Sequence, residues 1–223
     1  MIEWIPHAYN LVILGLAGLL DVRSREVDPR FWLLAIALGL PVTLWVNVEN
    51  LRVLVVYQLL SLVVVIVAYA MYRTCMIGGA DVLAFLTITL IAPLIPGSLV
   101  PTLYLAILYA TIPGVAYQLY SAYLACGGLK LGCMMRFRFK VKARLIVEDP
   151  RFRWWLVEGG GECSIEGDPK QLAVKASGGN LESYITASPG HPYVAHLAVG
   201  YAIALILGDK PIVNLILELA QLT

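Results

Sequence analysis

Charge is scarce in this chain. Of its 223 residues, 14% are Asp, Glu, Lys or Arg and 60% are hydrophobic, with a mean hydropathy of +0.79. Soluble domains carry about 25% charged and about 45–50% apolar residues. That shortfall excludes an ordinary soluble enzyme, a disordered tail and a nucleic-acid binder. A net charge of +1 removes any argument from global basicity. Cysteine is sparse and unpatterned: Cys75, Cys126, Cys133 and Cys163 make no CxxC pair and no zinc-spaced cluster, so reduced core thiols and no metal are expected. His7, His191 and His196 form neither HExxH nor HxxxH, and a GxSxG serine motif is missing. The first apolar run starts near Ile5 without a basic stretch before it, and reads as a retained first span rather than a cleaved leader.

What the chain does have is long apolar runs. A membrane crossing takes about 20 apolar residues. The pattern predicts six crossings: Ile5 to Leu20, Phe31 to Val48, Leu51 to Tyr72, Asp81 to the Pro93–Pro96–Gly97 cluster, Leu99 to Cys126, and Tyr193 to Leu207. Ile212 to Leu219 is too short and reads as an interfacial helix or cap. Trp4, Trp32 and Trp45 fit an interfacial belt. With the N-terminus outside, 14 of the 16 Lys and Arg residues fall on inner segments; only Arg52 and Lys210 fall outside. Basic loops stay in the cytosol, so both termini are expected outside.

Residues from about Gly127 to Pro189 break the apolar pattern. Arg136 to Leu145 alternates basic and apolar residues, the period of a half-buried strand. Leu172–Ala176 and Tyr184–Ala187 read as two further strands, with a turn at Gly178-Gly179-Asn180. The expected fold class is an all-α polytopic membrane protein of six transmembrane helices with a small cytosolic β-rich insertion before the last helix. Its parts are a membrane domain over 1–128, the β-rich domain over 129–189, and the last crossing with a short apolar segment over 190–223. The basic strand face suits anionic lipid head groups.

Two acids stand apart from the rest. Asp21 ends the first apolar run, and Asp81 opens the fourth within Gly78-Gly79-Ala80-Asp81. An ionisable side chain at membrane depth is costly and points to function. Fifteen residues separate Pro6 from Asp21, and fifteen separate Asp81 from Pro96. Each stretch spans about 22 Å as helix, so the two carboxylates sit at one depth near the inner boundary. Paired carboxylates sharing a proton suit water-mediated peptide hydrolysis, one member accepting a proton and the other donating one. Asp81 also suits a helix N-cap. Asp21 ends its helix where the dipole disfavours an anion, so capping does not explain it.

Asp21-Val-Arg-Ser-Arg-Glu-Val-Asp-Pro-Arg-Phe-Trp32 resembles the first aspartate motif of archaeal prepilin and preflagellin (archaellin) peptidases. Gly78-Gly79-Ala80-Asp81 resembles their second motif, the GxGD signature of aspartic intramembrane proteases, with Ala80 where a glycine stands. Ser188-Pro-Gly-His-Pro-Tyr193 is similar to the proline-rich approach to their last span. The resemblance covers the whole chain. It implies a membrane-embedded aspartic endopeptidase that removes short leaders from type IV pilin-like and archaellin precursors at the cytosolic face, with Asp21 and Asp81 catalytic and no metal or cofactor. Gly78 and Gly79 would shape the approach of substrate. Glu26 and Asp28 are candidates to receive the basic charge that the resemblance places beside the cut. The expected partners are precursor proteins and the bilayer, and no nucleic acid. Two other readings stay open: a transporter or an assembly adaptor using the acids as an ion or proton relay.

Overall fold

The computed structural model describes residues 2–25, 27–74, 77–128, 133, 138–152, 155–157 and 168–221. These form two compact units: Met1–Pro113 with Pro192–Thr223, and Gly114–His191. Composition changes near residue 128, whereas packing changes at Pro113, inside one continuous helix.

The first unit is helical. Helix α1 (Ile5–Ser24) starts with Pro6 in its first turn, where the missing N–H costs nothing. It ends when Arg25 takes a left-handed backbone at φ 60°. Helix α2 (Pro29–Val46) is started by Asp28, whose carboxylate accepts the Arg30 N–H at 2.8 Å, with Pro29 following. Helix α3 (Leu51–Arg73), α4 (Gly79–Ile91) and α5 (Thr102–Cys126) follow, and α5 contains Pro113. After the inserted unit come α8 (Tyr193–Leu207) and α9 (Lys210–Gln221), α6 and α7 lying in that insertion.

Four helical stretches are long and apolar enough to cross a membrane: Ile2–Ser24, Pro29–Val46, Val48–Arg73 and Thr102–Cys126. The chain is a multi-pass membrane protein. Helices α4 and α8 hold only 13 and 15 residues. At 1.5 Å per residue they reach about 20–22 Å, short of the roughly 30 Å hydrocarbon core. The six expected crossings therefore resolve into four full-length helices and two short ones. Those two short helices are also the better buried. Their inner faces pack with Leu14, Ala17 and Trp32 in one core containing Val82, Phe85, Ile88, Val194, Leu197 and Tyr201. Trp32 is fully buried there, which corrects its expected place in an interfacial belt; Trp4 and Trp45 are 41% and 68% exposed.

Helices α1 and α8 meet along a seam. A Cβ on Gly18 would stand 3.0 Å from the Ala195 Cα, so any side chain here would press the two helix backbones apart by a few tenths of an ångström. Farther along, Tyr201 Oη and His7 Nδ1 lie 3.0 Å apart, and His7 Nε2 lies 3.0 Å from the Leu94 carbonyl. A carbonyl only accepts, so Nε2 carries the hydrogen and Nδ1 accepts from the tyrosine.

In the second unit, strands β1 (Phe139–Lys142), β2 (Trp155–Val157) and β3 (Tyr184–Pro189) form an antiparallel sheet in the order β1-β3-β2. Phe139, Val141, Trp155, Val157, Ile185 and Ala187 are buried on one face. Helices α6 (Ala143–Glu148) and α7 (Pro169–Ala176) complete it.

Three expectations need correction here. The basic alternation forms a strand only over Phe139–Lys142; the chain turns helical at Ala143, and residues 136–137 lie outside the described ones. Leu172–Ala176 is helix, not strand, because Asp168 accepts the Lys170 N–H and Pro169 follows, a helix start that overrides the short apolar alternation. Cys126 and Cys133 are joined in a disulfide with Cα atoms 6.1 Å apart, rather than being reduced core thiols. Gly127 and Gly128, at φ 62° and 135°, turn the chain at the end of α5 between the two. Cys75 and Cys163 lie outside the described residues.

Candidate active site

Asp21 lies on the last turn of α1, and its side chain is nearly buried at 7% exposure. Its Oδ2 accepts the N–H of Val194 at 3.1 Å and that of Ala195 at 3.4 Å. These are among the first amides of α8, which have no partner inside their own helix. Asp21 therefore does cap a helix, but the capped helix is α8, some 170 residues away in the chain. Pro192 precedes that helix, and no side chain of its own caps its start. An anion at this position is favoured by both the free amides and the helix dipole.

Asp81 lies in the first turn of α4, where its Oδ2 accepts the Gly78 N–H at 3.0 Å. The short helix starts here because Gly78 is extended (φ −78°, ψ 153°) and Asp81 returns to bind its amide. Gly78 leaves its own missing Cβ only 3.4 Å from Asp81 Oδ2, and Gly79 stands against the Tyr72 ring at 3.4 Å. Neither position has a left-handed backbone. Ala80 is inside the helix, so its methyl group meets no backbone restriction.

The two carboxylates lie close enough for the charge of Asp21 to act on Asp81, and the Arg25 guanidinium acts on both. Arg25 owes this place to its left-handed backbone, held by its N–H to the Asp21 carbonyl at 3.1 Å. The Oδ1 atoms of Asp21 and Asp81 have no hydrogen-bond partner among the described residues. Phe85, one helical turn after Asp81, meets the Tyr193 ring edge-on at 5.8 Å.

Of the residues that the sequence pointed to, Asp21 and Asp81 lie on neighbouring helices within electrostatic range of each other, and Gly78 is bonded to Asp81. Gly79 is the first residue of α4 and packs against Tyr72. Asp28 serves as the cap of α2, and Glu26 lies outside the described residues. Sequence reasoning missed Gly18, Arg25, Tyr193 and the α8 amides. A small residue three positions before an intramembrane acid, and a proline immediately before an apolar helix, were the available signals. Among the described residues, no group of His, Cys, Asp and Glu side chains could hold a metal ion.

A family model described as the type IV leader peptidase family matches residues 8–119, half of the chain and the part that contains both aspartates. No curated protein and no solved structure matches it.

Proposed function

This chain belongs to the type IV leader peptidase family, and from that premise we propose that it is an aspartic endopeptidase cutting the leaders of type IV pilin-like precursors, archaellins among them, at the cytosolic face of the membrane. The observation that carries this reading is the pairing of Asp21 and Asp81. Each binds backbone amide through Oδ2, which leaves each Oδ1 available to a water or substrate.

Backbone amides hold each carboxyl group, so neither needs to reorganise as the reaction proceeds. We assign the negative charge to Asp21, which has two amide donors and a helix N-terminus before it. Asp81, with one amide donor and a shared charge to oppose, holds the proton. Asp21 takes a proton from water as its oxygen attacks the scissile carbonyl; Asp81 gives its proton to that carbonyl oxygen. Collapse returns both protons, one to the leaving amine and one to Asp81. Gly78 and Gly79 are proposed to shape the approach to Asp81. Asp28 and Glu26, just beyond α1, are proposed to receive basic charge of the leader.

Incubation of the purified protein with a pilin-like precursor tests the reading. Leader loss by the wild type, absent in Asp21→Asn and Asp81→Asn, is the expected result. An intact precursor in all three samples rejects it in favour of a transporter or adaptor.

A further inference from the structure

The start of α8 lies by the pair. Val194 and Ala195 give their amides to Asp21, and the residue before them, Tyr193, packs on the helix that carries Asp81. Its ring packs edge-on against Phe85, four residues after Asp81 on α4 and so on the same helical face. The phenol and the Asp81 carboxyl lie within electrostatic range of each other. Tyr193 is partly buried against the core of the first unit. Its hydroxyl, however, has no hydrogen-bond partner among the described residues. Five other tyrosines of this unit use theirs: Tyr9 on the Ala35 carbonyl, Tyr57 on Leu99, Tyr104 on Leu60, Tyr109 on Gly208 and Tyr201 on His7. The Tyr193 donor is unused by acceptors among the described residues and is available to a substrate carbonyl.

We propose that Tyr193 is a third catalytic residue, whose hydroxyl donates a hydrogen bond to the carbonyl oxygen of the bond being cut. This rests on the peptidase reading above. As water oxygen bonds to the carbonyl carbon, the carbonyl π pair moves onto oxygen, which receives the Asp81 proton while Asp21 takes the proton from water. Tyr193 keeps its proton throughout and stabilises the charge gathering on that oxygen. When the C–N bond breaks, its electron pair leaves with nitrogen, which is protonated by Asp21, and Asp81 recovers its proton. The donor is aligned in advance by the same helical turn that fixes Asp21, so the two positions are set together.

Tyr193→Phe keeps the ring and its Phe85 contact and removes only the donor. With wild type and Asp81→Asn assayed beside it on one pilin-like precursor, kcat is expected to fall about 100-fold, the lower range for loss of one oxyanion donor, with KM within about twofold and the melting temperature unchanged. A wild-type kcat overturns the proposal, as does a loss confined to KM. Cleavage by the wild type with an unaffected Tyr193→Phe rejects this inference alone; no cleavage by the wild type removes the peptidase reading and this inference together. If the phenylalanine variant does not fold, 3-fluorotyrosine at position 193 preserves shape and donor while making the hydroxyl more acidic. A more acidic hydroxyl is the stronger donor to the developing charge, so kcat at the pH optimum is expected to rise with KM unchanged. An unchanged kcat counts against the proposal.

Discussion

An aspartate and an asparagine differ here in charge but not in their capacity to accept an amide hydrogen. The carboxamide oxygen introduced by Asp21→Asn can still receive the Val194 and Ala195 amides, and that introduced by Asp81→Asn can still receive the Gly78 amide. Both variants are therefore expected to insert and fold normally. A carboxamide cannot accept a proton from water or cycle between acid and base. Each substitution is expected to abolish cleavage, and the double variant to be no worse than either single, because the pair acts as a unit. The wild-type pH–rate profile should be a bell with two apparent values belonging to the pair. Substantial turnover by either folded single variant would sink the dyad. Asp28 calls for a gentler change. Asn caps a helix as well as Asp does, so Asp28→Asn keeps the start of α2 while removing a charge. A rise in KM with kcat unchanged is the expected result if that charge meets the leader; unchanged kinetics would remove Asp28 from substrate recognition.

At the scale of elements, the short helix α8 is fixed at three points, two of them on α1. Gly18 lets α1 approach it, His7 holds Tyr201, and Gly200 lies against α5, where an added Cβ would fall on the backbone of Ala106 and Ala110. Backbone cannot give way as a flexible side chain does. Gly200→Ala is therefore expected to cost about 1–3 kcal/mol or more, read as a lower melting temperature in detergent. Because α8 carries the amides that bind Asp21, its activity should fall further than its stability predicts. Tyr201→Phe leaves His7 Nδ1 buried without its donor, at a cost of about 1–3 kcal/mol, and its cleavage should change little at temperatures where it stays folded. In the inserted unit the small core is the weak point. Trp155 is 1% exposed between Phe139 and Phe152, so Trp155→Ala is expected to cost about 3–5 kcal/mol. Protease protection of residues 114–191 would be lost while membrane insertion persists.

For the whole molecule, the inserted unit bears an acid-sensitive set of ion pairs. Lys142 and Arg144 beside Glu182 hold its carboxyl below the usual value, and Arg151 does the same for Asp149. A carboxyl whose folded value is lowered favours the folded state above its ordinary titration range, and that contribution is lost as pH falls through the lowered value. Exposed pairs contribute little, so Glu182→Gln should leave the neutral melting temperature nearly unchanged and flatten its decline below about pH 4. The expected orientation rests on the uneven basic charge, which puts 14 of 16 Lys and Arg residues on inner segments when six crossings start outside. Lys175 is exposed on α7. In a background lacking native cysteines, Lys175→Cys should resist an impermeant thiol reagent added outside intact cells and react after permeabilisation. Labelling from outside would reverse the orientation and move the cut to the other membrane face.

The sequence alone determined the membrane class and the positions of most helices, and it singled out the two acids as candidates. Hydrophobic runs and intramembrane charges are energetic statements that hold whatever the packing. The last short helix was legible residue for residue, Tyr193–Leu207, because Pro192 and Gly208 bound its apolar run. Other local signals were present but outweighed in reading: Asp168-Pro169 starts a helix through capping geometry, yet the short alternation after it suggested a strand. The alternation of Arg136 to Leu145 could not reveal where Ala143 turns the chain. The explanation for Asp21 came only from tertiary structure. Its carboxylate is disfavoured at the end of its own helix and is received by the start of another, and no local pattern links residue 21 to residue 194. The same holds for Tyr193, whose ring reads as ordinary core until α4 and α8 cross. A donor becomes functional through what faces it, and facing is decided by packing between distant elements.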